Sequence, residues 1–369
     1  MGIEGGVTEP GVVLAEEPAV PPPAARVSGA PLRPLLTTLL PIVAALLVSG
    51  AILYSVGVDP LAYYAVVVRR ALLSPHGLEE TITRMAPLLL LGASLIVSFR
   101  AGLWNLGVDG QFLLGAVAAA ALGPALITVA PDWLTLLACM AAGMLAAALW
   151  SLLPGLLRAY EGVNEIITTL MMNFLGVSLC NVLVKLVFID PTTTTPITRT
   201  LPVPDRLPRL FGTTVNIGVI IALAVLIGAH LVMTRTAWGL RLRVLGANPR
   251  AARHAGFRVE RLIVATIAIS AALAGLAGAV IVTGTLGSVR AEWNPAYGLT
   301  IIPLVFLARM NGWAVIGFVF LFAMLSIGAE AASITLGVPH YYNFLLVGLL
   351  LIFLALVEYL DTRRRQHVG

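Results

Sequence analysis

Long apolar runs follow one another along most of this chain. A helix needs about 20 apolar residues to cross the hydrocarbon core of a bilayer, and ten candidate runs lie between residues 35 and 360. Only 11% of the residues are charged, whereas soluble domains carry about 25%. Because backbone groups in lipid must find their hydrogen bonds within the segment, these runs predict an all-α, polytopic membrane helix bundle.

The predicted spans define one transmembrane domain, residues 35–362, between two tails. The ten spans are residues 35–57, 81–100, 110–130, 133–157, 165–189, 215–233, 262–284, 298–309, 312–333 and 342–360. Residues 58–80 contain aromatic and basic side chains, among them Tyr63, which suit an interfacial segment. Residues 1–34 predict a disordered cytoplasmic tail, and residues 363–369 form a second cytoplasmic tail.

One connection between spans carries much of the positive charge. Residues 233–262 contain seven arginines, namely Arg235, Arg241, Arg243, Arg250, Arg253, Arg258 and Arg261. Short loops rich in Lys and Arg stay on the cytoplasmic side, so both termini are expected to be cytoplasmic. The loop at 190–214 would then lie outside although it carries Arg199, Arg206 and Arg209. The net charge of +5 fits such loops and not a nucleic-acid site, because no soluble domain is present to hold one.

Within the Arg-rich loop, residues 246–256 predict a short exposed helix. Pro249 suits its first turn, and the small residues Ala251, Ala252, Ala255 and Gly256 permit close approach of another protein. A positive helix between two spans therefore suggests a docking site for a soluble partner. The alternative is an orientation signal that contacts only lipid headgroups. That alternative explains the arginines but not the pattern of small residues.

A second motif, residues 99–111, places three glycines and four polar side chains in an apolar region. Irregular backbone at membrane depth survives only where protein or a water-filled cavity satisfies its polar groups. The motif is therefore either a break that lines a pathway or an interfacial turn between two spans. Arg100 and Asp109 could pair and neutralise each other.

A third motif, residues 161–173, begins the fifth span. Asn164 is expected to cap the helix, with Glu165 favourable in its first turn. Thr169 and Asn173 are four residues apart and share a helix face. Polar groups on one stripe of a span face the bundle interior, where they either line a pathway or join helices by hydrogen bonds.

A weak internal sequence similarity suggests a pseudo-repeat of spans 2–5 and 7–10. Asp109-Gly110-Gln111-x3-Gly115 opens one span, and Asn311-Gly312-Trp313-x3-Gly317 opens another. Broken segments at matching positions in two halves point to a transport pathway. The sequence contains no nucleotide-binding, metal-binding or hydrolase motif, so no catalytic residue, metal ligand or cofactor of its own is expected. Cys139 and Cys180 lie in apolar runs and are expected to be ordinary helix residues.

At these motifs the chain resembles permease subunits of bacterial ABC importers, in the branched-chain amino acid, ribose and nucleoside group. The resemblance covers residues 35–362. Residues 241–256 are similar to the family's cytoplasmic loop Gly-x-x-x-Arg-x-x-Gly-x-Asn-x-x-Ala-Ala-x-x-x-Gly, with Arg250 where an acidic residue is common. Residues 102–111, with Asp109 at the usual Glu, and residues 164–173 resemble segments of the nucleoside-type (simple sugar) subfamily.

The resemblance implies two groups of functional residues. In such permeases the coupling loop, here residues 234–261, holds a helix that docks on an ATPase. The coupling residues would be Gly246, Asn248, Pro249, Ala251, Ala252 and Gly256, with Glu161 and Glu165 as a second contact. The translocation pathway would include Asn105, Asp109, Gln111, Thr169 and Asn173.

The resemblance also implies the partners and the activity. Expected partners are an ABC ATPase that carries ATP and Mg²⁺, a second homologous permease in a heterodimer, an extracytoplasmic substrate-binding lipoprotein and membrane lipids. The expected function is movement of nucleosides, or a related small polar solute, across the bacterial plasma membrane by ATPase-driven alternating access. A sugar or a branched-chain amino acid is the alternative substrate. An ion-coupled secondary transporter is a weaker alternative. Such carriers need ionisable groups at mid-span, and the predicted spans contain few.

Overall fold

The computed structural model describes the backbone of residues 32–339 and 342–368; most of the predicted N-terminal tail, residues 1–31, lies outside the described residues. Thirteen α-helices, with three short π-helical segments and one 3-10 turn, make up the regular structure of the described part. They are α1 (Leu32–Ser55), α2 (Pro60–Val68), α3 (Pro75–Arg100), α4 (Val108–Leu126), α5 (Asp132–Tyr160), α6 (Glu165–Val182), α7 (Gly218–Arg235), α8 (Ala237–Ala247), α9 (Pro249–His254), α10 (Val259–Ile281), α11 (Tyr297–Leu307), α12 (Gly312–Leu336) and α13 (Tyr342–Val368).

Ten of these helices correspond to the ten predicted spans. Among the described residues, seven helices are long and apolar enough to cross a membrane, namely α3, α4, α5, α6, α7, α10 and α12. Three shorter apolar stretches, Leu39–Ser55, Tyr297–Leu307 and Phe344–Val357, match the first, eighth and tenth spans. The predicted all-α polytopic bundle is therefore confirmed.

Residues 58–80, for which the sequence suggests an interfacial segment, are mostly helical. They form α2, a π-helical turn at Arg69–Leu73 and the start of α3. Tyr63 is buried and packs edge-on against Tyr64 and Tyr342. Tyr63 is buried because α2 packs on α12 so closely that a Cβ added to Gly328 would lie 2.5 Å from the Val67 side chain. The interfacial position of this segment stays a prediction.

Glycines set the crossing of α4, α5 and α10 at the centre of the bundle. A Cβ on Gly115 would lie 2.2 Å from the carbonyl oxygen of Gly275, and a Cβ on Gly275 would lie 2.1 Å from that of Gly143. Small residues let membrane helices approach backbone to backbone, where many weak contacts add up. Gly317 is the counterpart of Gly115 in the internal sequence similarity, and it faces open space instead. The two similar segments, which begin at Asp109 and Asn311, therefore have different surroundings.

The two ends of the bundle carry different structures. The end with α8 and α9, called here the coupling end, also holds the C-terminus of α3. At the other end, two loops join through backbone hydrogen bonds from Thr198 to Val289 (3.0 Å), from Ala291 to Pro196 (2.9 Å) and from Leu201 to Gly287 (2.8 Å). We call this pair of loops, residues 188–217 and 287–296, the loop platform.

An arginine also stabilises the loop platform from within. The Arg206 guanidinium donates hydrogen bonds to the carbonyl oxygens of Leu201 (3.0 Å) and Thr285 (2.8 Å). Arg206 is one of the three arginines that fit poorly with an outside loop on the charge rule. Arg206 joins its own loop to the helical segment that precedes the second loop, which gives a structural reason for a basic residue at this place.

Candidate functional site

The coupling end has the short helix that the sequence predicts. The Asn248 side chain accepts hydrogen bonds from the backbone N–H groups of Arg250 (2.9 Å) and Ala251 (3.1 Å), and Pro249 occupies the first turn of α9. This is the N-terminal capping that Asn favours. Gly256 follows the helix with a φ of +80°, a conformation that glycine adopts without strain.

The small residues of α9 face two directions. Ala251 and Gly256 are exposed, as is Ala255, whereas Ala252 is fully buried in the hydrophobic core. A partner protein can therefore reach the first three directly, while Ala252 fixes the helix against the bundle. Whether any of them contacts an ATPase stays a prediction.

The second expected contact, at the junction of α5 and α6, also splits into an exposed and a buried residue. Glu161 is exposed, but Glu165 is buried, and its carboxylate pairs with Arg158 at 3.0 Å. Asn164 caps α6 as predicted, since its side chain accepts a hydrogen bond from the Ile166 N–H at 2.9 Å. Glu161 is thus the acidic group that a partner could reach.

A basic cavity of about 400 Å³ lies beside α9. Its walls come from the end of α5 and the start of α10, and its lining residues are Ala159, Tyr160, Arg253, Arg258, Glu260 and Arg261. Arg253 is paired with Glu260 at 2.8 Å. The two remaining arginines leave a net positive opening beside the exposed face of α9.

The coupling end touches the 101–107 linker between α3 and α4 through two glycines. Gly246, in the last turn of α8, meets the linker backbone so closely that a Cβ on it would lie 2.8 Å from the Gly102 nitrogen. Gly102 has a φ of +69°, which suits glycine. The predicted coupling region and the glycine-rich second motif are therefore in direct contact.

Inside the bundle, a buried amide pair holds the linker. The Asn105 side-chain nitrogen donates to the side-chain amide oxygen of Gln111 (2.9 Å) and to the Ser270 hydroxyl (3.0 Å). Gln111 donates back to Asn105 at 3.1 Å, and the Asn105 oxygen also accepts from the Gly107 N–H. These bonds satisfy the polar groups that the break between α3 and α4 exposes.

Two residues of α6 complete the same network. The Thr169 hydroxyl accepts a hydrogen bond from the Leu106 N–H at 3.1 Å, and the Asn173 oxygen accepts one from the Gly110 N–H at 2.6 Å. These acceptors serve one N–H group in the linker and one in the first turn of α4, and neither has a partner within the helix. The shared face predicted for Thr169 and Asn173 therefore packs against the break before α4.

Asp109 joins the start of α4 to the start of α11. Its two carboxylate oxygens accept hydrogen bonds from the backbone N–H groups of Gly298 (2.6 Å) and Leu299 (3.2 Å). A carboxylate is stabilised there by the positive end of the helix dipole. The expected pairing of Asp109 with Arg100 is wrong, because Arg100 donates to the Met310 carbonyl oxygen at 3.0 Å, beyond the far end of α11.

The structure thus brings the five predicted pathway residues into one network. All five are buried, and each is bonded to other protein groups. In this conformation they join α4, α6, α10 and α11, which is the hydrogen-bonding alternative that the sequence left open. A role in lining the pathway stays a prediction.

The sequence predictions do not include an ion pair between α3 and α12. Arg84 contacts Glu330 and also donates to the Ser326 hydroxyl at 2.7 Å. Both charged residues lie inside predicted spans. The signal that could have predicted the pair was the presence of one basic and one acidic residue in two different apolar runs. Hydropathy alone does not show which pairs of spans meet.

Comparison with known proteins identifies the family. A family model described as the permease component of the branched-chain amino acid transport system matches residues 77–355. A glucose ABC transporter permease of Haloferax volcanii is 33% identical over 90% of this chain and 89% of its own length. A guanosine ABC transporter permease of Bacillus subtilis is 30% identical over 75% of this chain and 80% of its own.

A third relative supports the same group. A nucleoside ABC transporter permease of Lactococcus lactis is 27% identical over 88% of this chain and 91% of its own length. The family match covers most of the helical bundle, including the network around Asp109 and the coupling end. The chain therefore belongs to the permease-component family of branched-chain amino acid transport systems, and it is a multi-pass ABC transporter subunit and not an enzyme.

Proposed function

We propose that this chain is a permease of an ABC importer for nucleosides or a closely related hydroxyl-rich solute. The segments at 102–111 and 164–173 resemble nucleoside-type permeases, and two of the three relatives described above carry guanosine or nucleosides in their names. The glucose permease relative, at 33% identity, makes a simple sugar the second candidate.

The observation that carries the coupling part of the proposal is the exposed face of α9. Ala251 and Gly256 have little or no side chain, so another protein can approach the helix backbone closely. The Arg-lined cavity beside them favours acidic groups on that protein. Membership of an ABC permease family implies an ATPase partner. We place its docking site on α8 and α9, and we place this end on the cytoplasmic side because short Arg-rich loops stay there.

The loop platform suits a substrate-binding protein at the opposite end. Its two loops are joined by several backbone hydrogen bonds, so they present one surface in place of two separate mobile loops. A binding protein seated there would release solute above α3, α11 and α12. The chain would work with a second, homologous permease, and the solute would pass between the two.

Movement of the ATPase would reach the membrane through Gly246 and Gly102. Closing and opening of two ATPase subunits would shift α8 and α9, and the tight glycine contact would pass that shift to the linker before α4. Asp109 then ties the linker to α11. These contacts support alternating access, in which the pathway opens to one side at a time.

The test is uptake by the complete transporter in membrane vesicles. Labelled guanosine, uridine, glucose and leucine would be compared, with ATP present or replaced by a non-hydrolysable analogue. ATP-dependent uptake of a nucleoside supports the proposal, and uptake of glucose alone selects the second candidate. Uptake that needs an ion gradient and no ATP would contradict it.

A further inference from the structure

The ion pair of Arg84 and Glu330 is partly exposed on the surface of the helical bundle. The side chain of Glu330 is 53% exposed and that of Arg84 is 22% exposed. A charged group at membrane depth is costly in lipid, so such groups face protein or a water-filled cavity. The exposed half of Glu330 therefore needs water or a polar partner.

The pair lies in the half of the bundle nearer the loop platform. Arg84 follows the start of α3 by nine residues, and Glu330 precedes the end of α12 by six. At 1.5 Å per residue these separations are about 14 and 9 Å. The N-terminus of α3 is at the platform end, since Glu79 accepts hydrogen bonds from Thr214.

The direction of α12 agrees with this placement. Its first N–H, on Gly312, donates to the His230 side chain at 3.1 Å, and His230 lies one turn before the end of α7. Since α7 leads into α8, α12 begins near the coupling end and ends near the loop platform. Ser326, Glu330 and Ile334 are spaced four apart on one face of its last turns.

A third helix reaches the same place. Tyr297 is the first residue of α11 and lies close enough to Arg84 and Glu330 to interact electrostatically with both. The next residue, Gly298, is held by Asp109. The buried network around Asp109 therefore positions Tyr297 beside the ion pair. Three helices, α3, α11 and α12, contribute to this polar cluster of Arg84, Tyr297, Ser326 and Glu330.

We propose that the polar cluster is a solute-contact site in the platform half of the translocation pathway. The inference rests on the proposed import function and adds the residues that would meet the solute. The guanidinium donates hydrogen bonds, the carboxylate accepts them, and the hydroxyls of Ser326 and Tyr297 can do both. Because the two charges balance, the site suits an uncharged ligand with several hydroxyl groups, such as the ribose of a nucleoside or a simple sugar.

Cysteine labelling tests the site directly. Ser326→Cys would be introduced in the complete transporter and treated from the platform side with a charged, membrane-impermeant methanethiosulfonate. Cys139 and Cys180 are buried and contribute little background. Ala323→Cys, at a fully buried position one turn away on α12, is the matched control. Ile334→Cys, about two turns beyond Ser326 on the same face of α12, serves if Ser326→Cys does not assemble.

The inference expects Ser326→Cys to be modified faster than Ala323→Cys, and expects guanosine, uridine or glucose, whichever the wild type takes up, to slow the modification. No modification would mean that lipid or the second permease covers the cluster, and it would overturn the inference. Modification that none of the three solutes slows would also overturn it. Wild-type uptake of none of them would instead contradict the proposed function, while labelling without solute still reports whether water reaches the cluster.

A kinetic variant gives an independent readout. Glu330→Gln keeps the shape of the side chain and removes its charge, so one charge-assisted hydrogen bond to the solute is weakened. We expect KM for the transported solute to rise about tenfold, with the amount of assembled transporter unchanged. An unchanged KM with a lower maximal rate would mean that the pair only holds α3 to α12, and it would contradict direct contact.

Discussion

The backbones of Gly246 and Gly102 each occupy the space that a side chain on the other residue would need. A Cβ on Gly246 would lie 2.8 Å from the Gly102 nitrogen, and a Cβ on Gly102 would lie 2.8 Å from the Gly246 Cα. Real Cβ atoms essentially never come this close to backbone. The contact joins α8, which belongs to the Arg-rich loop, to the linker that enters the buried network. In the proposed mechanism, a shift at the coupling end would reach the interior through this contact.

Gly246→Ala should therefore weaken coupling and stability together. The added methyl group must push α8 away from the linker, and overpacking of this kind costs about 1–3 kcal/mol. We expect a lower unfolding temperature and slower ATP-dependent uptake. Gly228→Ala in α7 is the control, because its Cβ would meet no atom within 4 Å. Equal behaviour of the two variants would contradict a coupling role for the glycine contact.

Ala251→Trp should block the ATPase while leaving the permease folded. Ala251 is exposed in a regular helix, so the indole adds volume to the docking face without backbone strain. Recovery of the ATPase with the affinity-purified permease should fall about tenfold or more, or about 1.4 kcal/mol of binding free energy. Ala125→Trp, at an exposed position on α4, should recover the ATPase normally. Normal recovery with Ala251→Trp would move the docking face away from α9.

Asp109→Asn should destabilise the junction of α4 and α11. The amide offers one acceptor oxygen where the carboxylate offers two, so either Gly298 or Leu299 keeps an unpaired N–H. A lost hydrogen bond to a charged group costs about 1.5–3 kcal/mol. Thermal unfolding in detergent measures the change, with Asp132→Asn at the exposed start of α5 as control. Equal unfolding temperatures for both variants would show that Asp109 does not hold α11.

An ion pair between the end of the fifth span and the loop platform should be lost in acid. Lys185 donates a hydrogen bond to Glu292 at 2.7 Å, and this bond and the lysine charge hold the pKa of that carboxyl below its usual value. A depressed pKa in the folded state means that the pair stabilises the fold above the unfolded-state pKa, and that this stability is lost as the pH falls through the folded-state pKa.

The expected measurement is a small difference between Glu292→Gln and the wild type. The variant should unfold at a slightly lower temperature near pH 7, and the two curves should converge as the pH is lowered below about 4. The effect is small because both side chains are solvent-exposed and screened by salt. A gap that widens in acid would mean that Glu292 is stabilised by another interaction.

Local structure could be predicted from the sequence because its causes are local. Runs of apolar residues are enough to place ten helices, and Asn248, Pro249 and Asn164 begin helices where short-range capping rules put them. The burial of Tyr63 does not follow from local rules, since an aromatic residue near charges suits an interface equally well. Its burial depends on how α2 lies against α12, and nothing in residues 58–80 encodes that packing.

Contacts between distant residues followed only from the tertiary structure. Arg100 and Asp109 are close in sequence and opposite in charge, yet Asp109 binds the N-terminus of α11 and Arg100 binds beyond its other end. Arg84 and Glu330 lie 246 residues apart, and their pairing needs a specific rotation of α3 against α12.

The sequence by itself therefore determined a membrane bundle, its helices and their caps, because hydropathy and capping act over one or two turns. It also held the motifs by which the family is recognised. The tertiary structure decided which polar residues meet, because in a membrane each buried polar group must find a partner on another helix, and the partner depends on helix rotation and register. That is why Gly246 meets Gly102, and why Asp109 holds α11 rather than pairing with Arg100.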